Sequence, residues 1–311
     1  HRYADFRYKP HHNTTMKTSR LAYLLPLTFA GFWGLTFVWS EQILKVYQPI
    51  TMTFIRLSLA AIFLGIFITV TGKWQKMERH DWRLILLIAF CEPFLYFIGE
   101  SYGIIHSSAS FAAIMVALIP LITPLGAWLF MGIRSKWTVF VGLAISFCGI
   151  LYMILDGSGA LLVDIKGVLF LLLAMFSSAA YALCIQKISH KYNNFTIVFY
   201  QTTLAALMFL PLFFAFEWRE FQAIPFDWDI YKNLTMLAIC GSCIAFVCFV
   251  ESIKQLGAVK TVLFTNLIPI ATAIGAYFML NKTFTWQEVI GIGLVIFGLL
   301  ISQIERKKKK A

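Results

Sequence analysis

Ten long apolar stretches alternate with short polar breaks along the chain, at 21–40, 50–71, 84–103, 106–131, 137–155, 165–186, 195–216, 233–253, 259–280 and 286–304. Each runs about 17 to 25 residues, the length at which a helix crosses about 30 Å of hydrocarbon. The pattern predicts an all-α integral membrane protein with ten transmembrane helices. The longest break, EWREFQAIPFDWDIYKN at 217–233, reads as a Trp-bearing loop lying along the membrane surface.

Composition agrees with the pattern. Of 311 residues, 59% are hydrophobic and 13% charged, with a mean hydropathy of +0.76, against about half and about one quarter in soluble domains. A net charge of +11 suggests nucleic acid until the positions are considered. Assigning alternate breaks to the two faces puts 20 Lys and Arg on one side and 5 on the other, with Arg56 alone inside a span. By the positive-inside rule both termini are then cytoplasmic, in the cytoplasmic (inner) membrane, and the basic tail 305–311 is a topology anchor rather than a nucleic-acid arm. Residues 1–20 form a cytoplasmic segment, of which 1–15, ahead of Met16, are expected to lie outside the native protein. The first span carries Trp and no small-residue cleavage site, as a retained helix does and a signal peptide does not.

All six cysteines fall inside predicted spans, so no disulfide framework is expected, and CGSC at 240–243 reads as small packing residues. Metalloprotease, P-loop and dinucleotide-binding patterns are absent. No cofactor and no metal is implied, and the chain reads as a non-enzyme.

The chain repeats itself. ALIPLITPLGAWLF at 117–130 answers NLIPIATAIGAYFM at 266–279 at an offset of 149, and TMTFIRLSLAA at 51–61 answers TIVFYQTTLAA at 196–206 at an offset of 145. The unit is a five-helix half, 21–155 and 162–304. An odd number of helices per half inverts the second half relative to the first, an architecture that belongs mainly to transporters.

The segments FWGLTFV, QPITMTFIRLSLAA, IPLITPLGA and IPIATAIGA resemble those of the EamA family of the drug/metabolite transporter superfamily, a resemblance that covers nearly the whole chain from about residue 21. It implies ten helices, cytoplasmic termini, a central cavity shared by the halves, and passage of small polar metabolites, often export of amino acids or related compounds. Members carry a Glu just after the fourth and ninth helices, where this chain has Ile133 and Lys282.

Candidate chemistry concentrates where charge enters the apolar spans. A lone charge at a helix centre costs about 2.5 to 3.5 kcal/mol, so such groups face a cavity or a partner. Glu92, Tyr96 and Glu100 follow at i, i+4 and i+8 and form one polar stripe. A straight helix from about residue 84 places Glu92 near mid-membrane with no cation in its layer, and Glu100 in the outermost turn beside Arg56. Glu92 is the candidate proton carrier, within a substrate and proton pathway that also takes in Arg56, Glu100, Tyr96 and Asn266, with Trp33, Trp39 and Tyr181 as aromatic walls. Repeat equivalence offers Gln201 and Glu251 as an inner latch opposite the Arg56–Glu100 outer one. Pro120 and Pro269 are candidate hinges. Gly142, Gly149, Gly291 and Gly298 form a close-packing seam suited to helix–helix or homodimer contacts. The expected function is a secondary transporter working by alternating access, exporting a small polar or amphipathic, amino acid-like metabolite, with proton coupling. The alternatives are a non-transporting sensor or scaffold, and an intramembrane enzyme using Glu92 and His106. The partners are the lipid bilayer and a small-molecule substrate, with no nucleic acid.

Overall fold

In the computed structural model residues 21–131, 137–154 and 163–302 are described. Residues 1–20, the tail 305–311 and Ile133 lie outside these. The described regular structure is all helical, with no strand. The helices are α1 (Leu21–Ile43), α2 (Pro49–Val70), α3 (Arg79–Ile105), α4 in two pieces (Ala109–Val116 and Ile119–Met131) and α5 (Trp137–Ile154). They continue as α6 (Ile165–Ile188), α7 (Asn194–Ala223), α8 (Trp228–Leu256), α9 (Ala258–Leu280) and α10 (Trp286–Ser302). Seven helical stretches, in α2, α3, α4 and α6 to α9, are long and apolar enough to cross a membrane.

The long break at 217–233 is not a loop. α7 runs through it to Ala223 and α8 starts at Trp228, leaving only 224–227 between them. Local chemistry explains the correction: the Asp227 carboxylate accepts from the backbone N–H groups of Asp229 and Ile230 at 2.8 and 3.3 Å, capping α8 a full turn early. Glu217, buried in the same segment, caps a different helix. Its carboxylate accepts from the Thr51 N–H at 2.6 Å, the Ile50 N–H at 3.2 Å and the Thr51 hydroxyl at 2.8 Å, closing the N-terminus of α2.

Helix contacts come in matching sets. α2 packs on α7 and α5 on α10, while α1 on α9 is matched by α6 on α4, and α3 on α6 by α8 on α1. The same cross-helix cap forms twice. The Glu41 carboxylate at the end of α1 accepts from the Ala109 N–H opening α4 at 2.7 Å, and the Gln186 carbonyl at the end of α6 accepts from the Ala258 N–H opening α9 at 3.0 Å. These pairs lie 145 and 149 residues apart, the two repeat offsets. Interruptions recur too: α3 and α8 carry π-helical stretches at Phe90–Leu95 and Leu237–Ala245, and α4 and α9 break just ahead of Pro120 and Pro269.

Small residues set how closely the helices approach. Any Cβ on Gly99 of α3 would lie 2.5 Å from the Phe170 carbonyl of α6. The glycine seam is consumed inside the chain: a Cβ on Gly149 would lie 3.0 Å from the Gly291 carbonyl, so the seam joins α5 to α10 and is not a free homodimer face.

Candidate functional site

α3 is ordinary helix until Phe90. Pro93 then removes a backbone donor and crowds the preceding turn, and Glu92 leaves helical geometry at φ −147°, ψ 121°. The Ser177 hydroxyl of α6 donates to the Cys91 carbonyl within this break. Glu92 is 2% exposed, and helix resumes at Tyr96 with Glu100 one turn further on.

Glu92, Tyr96 and Glu100 line one cavity with Arg56 of α2 and Trp33 of α1. Its volume is about 10 Å³, room for a single water. Phe97, Phe246 and Phe249 wall it. Arg56, 1% exposed, has Nη1 3.8 Å from Glu100 Oε2, donates Nε to the Ser242 hydroxyl of α8 at 2.7 Å, and holds its guanidinium carbon 3.9 Å from the Phe97 ring centroid. A separation of 3.8 Å is an ion pair but not a hydrogen bond, and Oε2 of both Glu92 and Glu100 has no hydrogen-bond partner. At that distance the attraction is about 4 kcal/mol for an effective dielectric of 20, against several kcal/mol of desolvation for each ion. Stability does not account for three ionisable groups in one closed chamber.

The spacing of the three charges along a straight α3 needs correction. A straight α3 from about residue 84 leaves Glu92 without a cation in its layer and sets Arg56 and Glu100 apart from it. α3 starts at Arg79 and breaks at Glu92, so all three groups reach one cavity.

The other expected residues divide. Trp33 donates Nε1 to the Gly241 carbonyl at 3.3 Å and faces the cavity. Trp39 does not reach it and packs with Ile43, Tyr47 and Met52 in a separate cluster. Tyr181 stands behind the wall, its ring against Phe246 and Phe249 and its hydroxyl donating to Gln201 Oε1 at 3.2 Å. Asn266 lies beside the cavity-lining Thr265, with Oδ1 buried and unpartnered. The Gln201–Glu251 latch is not formed: Gln201 is engaged by Tyr181, and Glu251 accepts from Gln255 Nε2 at 2.7 Å one turn along α8. His106 Nδ1 lies 2.9 Å from Asp164 Oδ2 at the start of α6, away from the cavity lining.

Several lining residues escaped the sequence reading, chiefly Ser178 and Thr265, with Gly241 and Ser242 just behind the wall. The repeat offsets contain the signal. An offset of 149 carries Glu92 onto Gly241, Phe97 onto Phe246, Glu100 onto Phe249 and Val116 onto Thr265, and an offset of 145 carries Trp33 onto Ser178. In all but the first of these pairs both members line the cavity.

One other cluster has metal-ligand character among the described residues, Glu78, His80 and Asp81. The Lys191 ammonium already occupies it, 2.8 Å from Glu78 Oε2, 2.7 Å from Asp81 Oδ2 and 3.1 Å from His80 Nε2. The Asp81 and Glu78 carboxylates push the Lys191 ammonium above its ordinary range.

Apolar helices of spanning length, packed in matching sets around a buried cavity that gathers Arg56, Glu92 and Glu100, define a polytopic membrane protein. The sequence model of the EamA-like transporter family matches residues 20–155 and 165–303, and the chain belongs to that family, within the drug/metabolite transporters. It is similar to the uncharacterized transporter YcxC of Bacillus subtilis, 22% identical over 93% of this chain and 94% of that protein. A relative named "Probable terminal-alkyne amino-acid exporter", from Streptantibioticus cattleyicolor, is 22% identical over 92% of this chain and 94% of its own length. A solved crystal structure shares the fold at a TM-score of 0.68 and 14% identity, covering 91% of this chain and 96% of that one. The protein is a membrane transporter of a small-molecule substrate, set in the lipid bilayer.

Proposed function

We propose that the chain is a secondary transporter of ten spanning helices, built as two inverted five-helix repeats over 21–155 and 162–304. It carries a small polar or amphipathic, amino acid-like metabolite out of the cell by alternating access. The observation that carries this reading is the burial of Arg56, Glu92 and Glu100 around one closed cavity between the halves. Inverted halves of similar build exchange roles, so a small buried chamber between them fits the midpoint of a cycle that opens to each face in turn. The doubled cap of Glu41 on Ala109 and Gln186 on Ala258 supports the repeat. The unequal distribution of Lys and Arg supports cytoplasmic termini in the inner membrane.

The substrate chemistry follows from the chamber. A guanidinium fork takes a carboxylate in two parallel hydrogen bonds, and two carboxylates a few turns apart take an ammonium. A zwitterion with an apolar side chain against Trp33, Phe97 and Phe246 satisfies all three charges, in keeping with the amino-acid exporter among the relatives. Glu92 carries the proton that enters as substrate leaves. Everted vesicles test this: Glu92→Gln abolishes proton-driven accumulation while substrate exchange continues. Full gradient-driven uptake with unchanged pH dependence in that variant overturns the role of Glu92.

A further inference from the structure

We propose that the apolar groove between α2, α7 and α8 is a binding site for one anionic phospholipid, with Lys73 holding its head group. The groove has a volume of about 390 Å³ and is lined by Phe63, Phe67, Phe195, Cys243 and Ile244 among others. Phe63, Phe67 and Ile244 are 40%, 41% and 39% exposed, so the groove is open along its length. Its walls offer an alkyl chain no polar partner.

Charge at one end selects the occupant. Phe67 and Phe195 meet there with ring centroids 4.9 Å apart, and the Lys73 ammonium lies over both, 4.6 Å from the Phe195 centroid and 5.5 Å from that of Phe67. Lys73 has no carboxylate partner among the described residues. Its backbone is held in place: the Lys73 carbonyl accepts from Asn193 Nδ2 at 2.8 Å and the Thr196 hydroxyl at 3.4 Å. Trp74 and Trp82, 52% and 40% exposed, flank the Tyr200 ring at this end of the molecule. Exposed tryptophans of this kind mark the level of lipid head groups. A cation set at that level above an apolar channel matches an anionic head group above its acyl chain, and a zwitterionic lipid gains less from it.

The groove also backs onto the transport chamber. Cys243, in its wall, follows the Ser242 that holds Arg56 and donates its thiol to the Ala60 carbonyl at 3.6 Å. A seated acyl chain therefore packs against the segment that positions the cavity's cation. This inference goes beyond the proposed transport cycle and does not depend on its direction or substrate.

Native mass spectrometry of the purified full chain tests it, with dioleoyl phosphatidylglycerol, dioleoyl phosphatidylcholine and oleate as separate probes. One phosphatidylglycerol per chain is expected to bind at least about fivefold more tightly than phosphatidylcholine, the factor one lysine supplies near a charged surface. Lys73→Gln should remove that preference, Lys76→Gln on the same exposed loop should keep it, and Ile244→Trp should displace the lipid by filling the groove. Equal binding of the two phospholipids overturns the proposal, as does an equal loss in Lys73→Gln and Lys76→Gln. Retention of phosphatidylglycerol by Ile244→Trp moves the site elsewhere and overturns it too. Oleate binding as tightly as phosphatidylglycerol identifies a fatty-acid site instead.

Discussion

Arg56 of the first half donates its Nε to the hydroxyl of Ser242 in the second half at 2.7 Å, both side chains being almost wholly buried. Removing the acceptor leaves a buried guanidinium with one fewer partner, and a hydrogen bond to a charged group is worth about 1.5 to 3 kcal/mol. Ser242→Ala should lose that much stability in detergent unfolding and raise the substrate KM, while Ser242→Thr should restore both. Equal losses in the two variants would mean that volume at this position matters and the hydroxyl does not.

Gly241 is the neighbouring requirement. A Cβ there would run into the Thr36 side chain and come 3.1 Å from Arg56 Nη2. Gly241→Ala is therefore predicted to destabilise by about 1 to 3 kcal/mol, the usual cost of overpacking, and to lower transport more than Gly31→Ala, where a Cβ meets nothing within 4 Å. Vesicle uptake and unfolding midpoints of the two variants, compared side by side, check it.

Much of the fold was legible because lipid imposes a simple rule: a spanning segment must be apolar for a fixed length and satisfy its own backbone. That rule marks the segments, and the repeated IPLITPLGA and IPIATAIGA mark the halves. The end of α7 escaped it because Glu217, Arg219 and Glu220 are polar enough to read as loop, while the Asp227 cap that starts α8 is a local side-chain event. The buried charges announced the site through their cost in a membrane. Ser178, Gly241 and Ser242 carry no charge, and small residues of this kind are common wherever spanning helices pack, so only their equivalence to Trp33, Glu92 and Pro93 across the repeats singles them out. Trp39 misled because an aromatic near a predicted cavity looks the same in sequence whether it faces the chamber or a neighbouring helix.

The doubled cap makes a chemical prediction. Glu41 and Gln186 do the same work with a carboxylate and an amide carbonyl, so the oxygen is needed at position 41 and the charge is not. Glu41→Gln should leave stability and transport near wild type, and Glu41→Leu should cost about 0.5 to 2 kcal/mol, as loss of a helix cap does. A Glu41→Gln variant as impaired as Glu41→Leu would contradict the equivalence of the halves at this contact.

The lock of Lys191 on Glu78 and Asp81 joins the start of α3 to the loop after α6. Lys191 is raised in the folded protein, so its share of stability is present below its ordinary 10.5 and is lost as pH climbs through the higher folded value. The Tm difference between wild type and Lys191→Met should thus be level at neutral pH and begin to shrink only as pH climbs above 10.5. A difference that grows above that pH would reverse the sign assigned to Lys191.

The central claim is that the closed chamber around Arg56, Glu92 and Glu100 opens to each face of the membrane in turn. Ser178 lines that chamber and is 7% exposed, so Ser178→Cys, with the six native cysteines replaced, places a nearly isosteric thiol there. A membrane-impermeant thiol reagent applied to right-side-out and to everted vesicles reads access from each side. The account predicts reaction from both sides, slowed in both preparations by transported substrate. Reaction from one side alone, or labelling that substrate leaves untouched, would contradict it.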